Sequence, residues 1–120
     1  SMLVCNGEIY NHNKFRTGAE KSTSDCEILM PLIKDVGIMK AVDMINGDFA
    51  FVYTDGKQLL AARDPVGVRP LFYTRYAQGS IAFASEVKAL LFLNSDIHIF
   101  PPGHIYDSYI DGFVCYHTGY

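Results

Sequence analysis

Hydrophobic and polar positions change their period along the chain, and each change predicts a different kind of element. Leu3-Val4-Cys5 is a short apolar segment that predicts a strand. Apolar residues then recur at helical spacing over 28–36, and a second, shorter helical pattern covers 38–45. From Phe49 onward the period shortens to two. The predicted order is therefore one strand, a pair of helices and then a series of strands.

Local signals mark the limits of the first helix. Ser24 followed by Glu27 is a capping box, and Gly37 is typical of a helix end. Pro31 removes a backbone donor inside the pattern, so a kink or an early break is predicted there. Asp25 falls in the first turn, where the helix dipole favours negative charge. Its spacing alone therefore assigns Asp25 to a solvated helix start.

Three hairpins are predicted where turn residues separate apolar segments. These turn residues are Asp55-Gly56, Gln78-Gly79 and Asp111-Gly112. The strands around Asp55-Gly56 are apolar on both faces, so they should be covered on both sides. Ser85 predicts the cap of a short helix over 86–92. Antiparallel hairpins with two or three short helices after the first strand make the fold class α+β.

Composition and charge remove several classes of function. The chain has 120 residues, of which 49% are hydrophobic and 13% aromatic, enough for one domain over 1–120 with a real core. A net charge of −3 without a basic run argues against binding to nucleic acid or to an anionic membrane. No apolar run approaches the ~20 residues of a spanning helix, and no leader opens the chain, so a cytoplasmic protein is expected.

Cysteine and histidine spacing predicts neither a disulfide framework nor a metal site. The three cysteines are odd in number and widely spaced, at Cys5, Cys26 and Cys115. They are therefore predicted to be small buried side chains. Three histidines share no ligand spacing with nearby cysteines or acids, namely His98, His104 and His117.

The first candidate for chemistry is Asn6-Gly7-Glu8, which follows the opening apolar segment. An Asn side-chain N–H and a Gly backbone N–H can converge on an oxyanion, as acyl transfer requires, and a Glu carboxylate can hold an ammonium group. Asn-Gly is also the commonest two-residue hairpin turn. The residues therefore predict a strand that stops at a tight turn, with either a binding or a purely structural role.

The segment 63–69 carries the densest charge in the chain. Arg63, Asp64 and Arg69 either bind an anionic ligand, since Arg presents a planar fork to carboxylate or phosphate, or form an internal network. In the second case Asp64 ties the two arginines and the turn backbone together. Pro65, Pro70 directly after the segment, and the internal acid favour this rigid strut.

The longer string Asn6-Gly7-Glu8-Ile9-Tyr10-Asn11-His12 resembles the signature of the glutaminase domain of the asparagine synthetases, which are class II glutamine amidotransferases with an N-terminal nucleophile. Further segments resemble the same family in the same order, at 24–27, 47–51, 63–71, 84–90 and 100–104. Together they cover nearly the whole chain. The resemblance implies a single type 2 glutamine amidotransferase domain that lacks its N-terminal segment.

The resemblance also implies a fold and roles for individual residues. The fold is part of the four-layer αββα sandwich of N-terminal-nucleophile hydrolases, with the opening strands missing. Asn6 and Gly7 are the implied oxyanion donors, and Glu8 and Asp25 the implied ligands of the α-amino group of glutamine. The family's nucleophilic cysteine and its carboxylate-binding arginine have no counterpart, and Cys5 lacks the free α-amine that serves as base. The 120-residue chain is therefore predicted to be inactive alone.

The implied reaction is hydrolysis of glutamine to glutamate and ammonia. Ammonia would pass to a synthetase domain of the same chain, which amidates aspartate with ATP and Mg; the domain itself needs no cofactor. Segment 63–69 would lie near that partner domain, and an exposed sheet edge predicts a homo-oligomer. Two alternatives stay open. One is the glutaminase domain of another class II amidotransferase, and the other is a non-catalytic module that binds glutamine or a partner protein.

Overall fold

The computed structural model describes residues 1–15 and 25–117. Its two α-helices are α1 (Leu29–Val36) and α2 (Ile38–Met44). The eight strands are β1 (Met2–Ile9), β2 (Gly47–Thr54), β3 (Leu59–Arg63), β4 (Phe72–Tyr76), β5 (Ser80–Ala84), β6 (His98–Ile99), β7 (His104–Asp107) and β8 (Gly112–Cys115). Short 3₁₀ turns occupy His12–Phe15, Asp25–Ile28, Ala77–Gly79 and Val87–Ala89.

The strands form two antiparallel sheets. The larger sheet has the order β1-β2-β3-β7-β8, and the smaller has the order β5-β4-β6. The helices pack on one face of the larger sheet and the smaller sheet packs on the other. The described residues therefore build three layers of the expected αββα sandwich, and the α+β class is confirmed.

Strand alternation divides the core between the two faces of the larger sheet. On the helix side, Phe49 and Phe51 of β2 are 1% exposed and pack with the apolar sides of α1 and α2. On the other side, Ala50 and Ala61 face a cluster of aromatic rings from the smaller sheet and from β7 and β8. Both faces of β2 and β3 are thus covered, as the sequence predicted.

The helical segment differs from its prediction in detail. Ser24 lies outside the described residues, and α1 begins at Leu29 after a 3₁₀ turn. Pro31 lies in the first turn of α1, where a backbone N–H has no helical acceptor, so the predicted kink is replaced by a change of helix type before the proline. Gly37 ends α1 as predicted, with φ +83° and its N–H bonded to the Ile33 carbonyl at 2.8 Å.

The predicted helix over 86–92 is wrong in extent. Only Val87–Ala89 form a 3₁₀ turn, and the preceding Glu86 has extended backbone without a side-chain cap hydrogen bond. Ser85 therefore does not cap a helix, and without that cap a short helix has little to stabilise its first turn. The three predicted hairpins are confirmed, between β2 and β3, β4 and β5, and β7 and β8.

Candidate functional site

Asn6-Gly7-Glu8 lies inside β1 and not in a turn at its end. The strand continues to Ile9, and pairing with β2 sets Asn6 opposite Ala50, Gly7 opposite Phe49 and Glu8 opposite Asp48. The predicted end of the strand is therefore wrong, because cross-strand pairing carries it through the Asn-Gly pair. Alternation along β1 puts the exposed side chains of Asn6 and Glu8 on the face of the smaller sheet.

Gly7 has a backbone that only glycine fits here. Its φ is +132°, and a Cβ at this position would collide with the carbonyl oxygen of Asp48. The opposite residue, Phe49, uses both backbone groups on Asp64: its carbonyl accepts the Asp64 N–H at 2.8 Å and its N–H donates to Asp64 Oδ1 at 3.2 Å. Because backbone groups alternate sides in an antiparallel ladder, the N–H and carbonyl of Gly7 face the outer edge of β1.

A cleft of about 340 Å³ lies between the two sheets beside Asn6. Its walls are mostly apolar, formed by Val4, Ala50 and Val52 on the larger sheet and by β5 on the smaller one. Asn6 and Ser85 contribute the polar side chains. Apolar walls with few polar groups are typical of small-molecule sites, so the predicted oxyanion donor borders a space of suitable character.

Asp48 is a site residue that sequence reasoning missed. Its Oδ1 accepts the backbone N–H of Glu8 at 3.1 Å and Nε of Arg69 at 3.2 Å, and its Oδ2 accepts the hydroxyl of Tyr10 at 3.2 Å. Burial acts to raise the pKa of Asp48, but the hydrogen bonds from Arg69, Glu8 and Tyr10 outweigh it and lower the pKa overall. The hydrogen bond to Asp48 in turn raises the pKa of Tyr10.

Segment 63–69 is a rigid turn fixed from within. Asp64 is 1% exposed, and its Oδ2 accepts the N–H groups of Gly67 at 2.8 Å and Val68 at 3.1 Å. Arg63 donates to the carbonyls of Arg69, Phe100 and Gly67 at 2.8, 2.7 and 3.0 Å. Burial lowers the pKa of the Arg63 guanidinium, and the charge of Asp64 partly offsets this. The rigid turn is confirmed, and Asp64 ties its backbone together, but Asp64 does not bind the two arginine side chains: Arg63 donates to backbone carbonyls and Arg69 pairs with Asp48.

Cys5 and Cys26 form a disulfide, with their Cα atoms 6.2 Å apart. The expectation that no disulfide forms is therefore wrong for this pair. Side-chain alternation along β1 points Cys5 towards the helix side of the sheet, where the Asp25–Ile28 turn packs. The two cysteines are 21 residues apart, and this spacing matches no disulfide motif in the sequence. Cys26 Sγ also lies 3.8 Å from the Gly7 carbonyl oxygen. Cys115 is free and exposed, so its predicted burial is wrong as well.

Asp25 is the fourth predicted site residue, and its side chain lies outside the described part of the structure. Its backbone opens the Asp25–Ile28 turn, one residue before Cys26. Since Asn6 follows Cys5, the disulfide joins the two predicted binding segments one residue away from each.

Neither a metal cluster nor a spanning helix is found in the described ranges, 1–15 and 25–117. No three side chains among His, Cys, Asp and Glu come together there in a way that could hold a metal ion. No helix in those ranges has the length and apolar character needed to cross a membrane. His104 Nδ1 lies 2.8 Å from the Pro102 carbonyl, a local contact within its own turn.

Solved structures share this fold over nearly the whole chain. The allosteric regulatory enzyme of purine biosynthesis superposes with a TM-score of 0.81 at 22% identity, covering 98% of this chain and 28% of that one. Glutamine phosphoribosylpyrophosphate amidotransferase from B. subtilis gives a TM-score of 0.77 at 21% identity, covering 98% and 29%. At this identity the likeness establishes the fold alone.

Curated relatives are similar in sequence. A probable glutamine-hydrolysing asparagine synthetase of Dictyostelium discoideum is 45% identical over 124 residues, covering 96% of this chain and 22% of the relative. Asparagine synthetase 3 of Arabidopsis thaliana is 44% identical over 112 residues, covering 88% and 19%. The chain thus spans about a fifth of the length of these relatives.

A family model described as a glutamine amidotransferase domain matches residues 1–103. That match includes Asn6, Gly7 and Glu8 on β1, the Asp25–Ile28 turn and the rigid segment 63–69. The chain therefore belongs to the glutamine amidotransferase domain family.

Proposed function

We propose that this chain is the glutaminase part of a glutamine-hydrolysing asparagine synthetase. In this proposal a cysteine thiolate supplied by an N-terminal segment attacks the side-chain carbonyl carbon of glutamine. The resulting oxyanion accepts hydrogen bonds from the Asn6 side chain and the Gly7 N–H. The C–N bond then breaks, ammonia leaves, and water releases glutamate from the thioester.

The single observation that carries this proposal is the arrangement at the outer edge of β1. The backbone N–H of Gly7 faces that edge, away from β2, next to a side-chain amide that borders the cleft. Two neutral donors held by a paired strand are preorganised, which is what stabilises a developing oxyanion. A plain hairpin turn would have closed on itself and left no such donor at an edge.

The substrate's α-amino group has its proposed partner in Glu8. Glu8 is exposed on the same face as Asn6, two residues further along the strand. Asp25 is the proposed second carboxylate, because the Cys5–Cys26 disulfide brings its turn against β1. Its turn packs on the helix side and Glu8 lies on the other face, so the two carboxylates would meet an ammonium group at the outer edge of β1. Charge-assisted hydrogen bonds from an ammonium to two carboxylates are stronger than neutral ones, so this pair would select an amino acid over a simple amide.

The wider reaction is part of the same proposal. Ammonia would pass to a synthetase domain, where ATP and Mg support amidation of aspartate, and no cofactor is assigned to the chain described here. The relatives' names support this assignment, since they are asparagine synthetases that hydrolyse glutamine. Among the described residues β1 is the terminal strand of the larger sheet, which supports the prediction of self-association, with the oligomeric state in solution as its measurement.

The test separates the two proposed roles by steady-state kinetics of glutamine hydrolysis in the full-length protein. Asn6→Ala is expected to lower kcat about 10²–10³-fold, because it removes one oxyanion donor. Glu8→Gln is expected to raise KM for glutamine and to affect kcat less, because it weakens ground-state binding. Unchanged kinetics in both variants would reject the site, whereas no glutamine hydrolysis by the full-length protein would favour a non-catalytic binding module.

A further inference from the structure

Asp48 lies opposite Glu8 in the β1–β2 ladder, on the same face of the sheet. Two carboxylates at directly paired positions repel each other, so this arrangement is unfavourable without compensation. The compensation is visible, because Asp48 accepts hydrogen bonds from Arg69, from Tyr10 and from the backbone of Glu8. Its carboxylate is thus occupied by the protein and is not presented to a ligand.

The cation that pairs with Asp48 belongs to a turn that is held by internal hydrogen bonds. Buried Asp64 holds the turn that carries Arg69 through the N–H groups of Gly67 and Val68. The same carboxylate accepts the N–H of Phe49, the residue after Asp48. One buried group therefore fixes both Arg69 and the backbone beside Asp48, which leaves Asp48 little freedom.

We infer that Asp48 is a positioning residue for the glutamine site, with Arg69 as its counter-ion. By accepting the Glu8 N–H, Asp48 fixes the peptide that follows Gly7 and hence the direction in which the strand presents the Asn6–Glu8 segment. Arg69 offsets the charge of Asp48, whereas Glu8 forms no ion pair with any side chain in the described ranges. The inference rests on the proposed function and extends it to two residues that touch no atom of the substrate.

The chain offers a matched control in a second exposed ion pair. Arg75 Nη1, on β4 of the smaller sheet, donates to Asp111 Oδ1 at 2.9 Å, with side chains 37% and 63% exposed. Asp111 lies in the turn between β7 and β8, at the opposite end of the larger sheet from β1. Arg69→Gln and Arg75→Gln are the same chemical change at the two pairs. A general effect of losing a surface ion pair appears in both variants, whereas an effect on the glutamine site appears only in the first.

The experiment measures kcat and KM for glutamine hydrolysis per correctly folded site in the full-length protein. Asp48→Ala is expected to lower kcat about 10–100-fold, as loss of a supporting partner does at other sites. Asp48→Asn keeps an acceptor oxygen for the Glu8 N–H and is expected to recover most of that loss. Arg69→Gln should fall between them, and Arg75→Gln should match the wild type.

A second readout does not depend on catalysis. Hydrogen exchange of peptides covering β1, followed by mass spectrometry, is expected to be faster in Asp48→Ala and unchanged in Arg75→Gln. Unchanged kcat and unchanged exchange in Asp48→Ala would overturn the inference, as would equal effects of Arg69→Gln and Arg75→Gln. If Asn6→Ala is silent while exchange in Asp48→Ala rises, the proposed function fails and the positioning of β1 by Asp48 stands.

Discussion

Two trios of the same residue types lie towards opposite edges of the larger sheet. In the first trio, Asp48 accepts hydrogen bonds from Arg69 and Tyr10, both at 3.2 Å. The hydroxyl of Tyr10 reaches Asp48 from a side chain that is 65% exposed. Asp48 in the first trio also accepts the backbone N–H of Glu8. It therefore links a rigid turn to the candidate site.

The second trio joins Asp111 to Arg75 at 2.9 Å and to Tyr106 at 2.7 Å. Tyr106 is only 2% exposed and belongs to the aromatic core between the sheets. Asp111 lies in the β7–β8 turn with φ +47°. The same three residue types thus close a hairpin where the tyrosine is buried, and in our proposal they position a site where the tyrosine is exposed.

The largest effect is expected from removing the buried group behind the first trio. Asp64→Ala leaves the buried N–H of Phe49 without its acceptor, removes the side-chain acceptor of the Gly67 and Val68 N–H groups, and removes the charge that partly offsets the burial of Arg63. The free energy of unfolding should fall by about 3–5 kcal/mol, measured by urea denaturation, because each unmet group costs roughly 1–3 kcal/mol. Asp111→Asn, which keeps an acceptor oxygen in the second trio, should cost much less. Equal losses would mean that the two trios are supported alike.

Removal of the Cys5–Cys26 disulfide should give the next largest loss of stability, and this bond lies at the edge of the sheet that carries the first trio. Cys5→Ser removes the link between β1 and the Asp25–Ile28 turn and is expected to cost about 3 kcal/mol under non-reducing conditions. Cys115→Ser, at the opposite edge, should change stability by less than about 0.5 kcal/mol. Alkylation of three thiols in the unreduced native protein would contradict the disulfide.

The two tyrosines should respond differently to loss of their hydroxyl groups. Tyr106→Phe removes the hydrogen bond that a buried hydroxyl donates to the exposed carboxylate of Asp111, and it is expected to cost about 0.5–1.5 kcal/mol in thermal or urea unfolding. Tyr10→Phe should leave stability unchanged within error, because water replaces the exposed hydroxyl. A larger loss for Tyr10→Phe would reverse the distinction between the trios.

Alkaline titration should distinguish the buried Tyr106 from the exposed tyrosines, with the smallest expected effect on stability. Burial, followed by the hydrogen bond to Asp111, raises the pKa of Tyr106 from 10.0 to about 12. Since the folded state favours the neutral phenol, this contribution to stability is complete below the unfolded pKa and is lost as the pH rises towards 12. Phenolate absorbance should show a late step that Tyr106→Phe removes. Titration of every tyrosine near its ordinary pKa would contradict this.

The sequence predicts elements that are determined by residues close together in the chain, and it fails where distant residues decide the structure. The period-two pattern of β2 and the Asp55-Gly56 turn are local, since Asp55 bonds the N–H groups of Lys57 and Gln58 in its own turn. These elements were predicted correctly. The continuation of β1 through Asn6-Gly7 depends on pairing with residues some forty positions later, and that pairing overrides the turn preference of Asn-Gly.

The candidate site divides in the same way. Asn6, Gly7 and Glu8 could be named from one short segment and from its resemblance to a family. Asp48 could not, because its role depends on Arg69 and on the register of β1 against β2. The Cys5–Cys26 disulfide was missed for a similar reason, since it requires the helix segment to fold back onto the strand.

Ammonia release from glutamine decides whether this chain is a glutaminase domain that takes its nucleophile from an N-terminal segment. The assay compares the 120-residue chain with the same chain joined behind an N-terminal segment that begins with cysteine. The account predicts no release from the chain alone, release from the extended chain, and a loss of about 10²–10³-fold when the extended chain carries Asn6→Ala. Release by the chain alone, or an Asn6→Ala variant as active as its parent, would contradict the account.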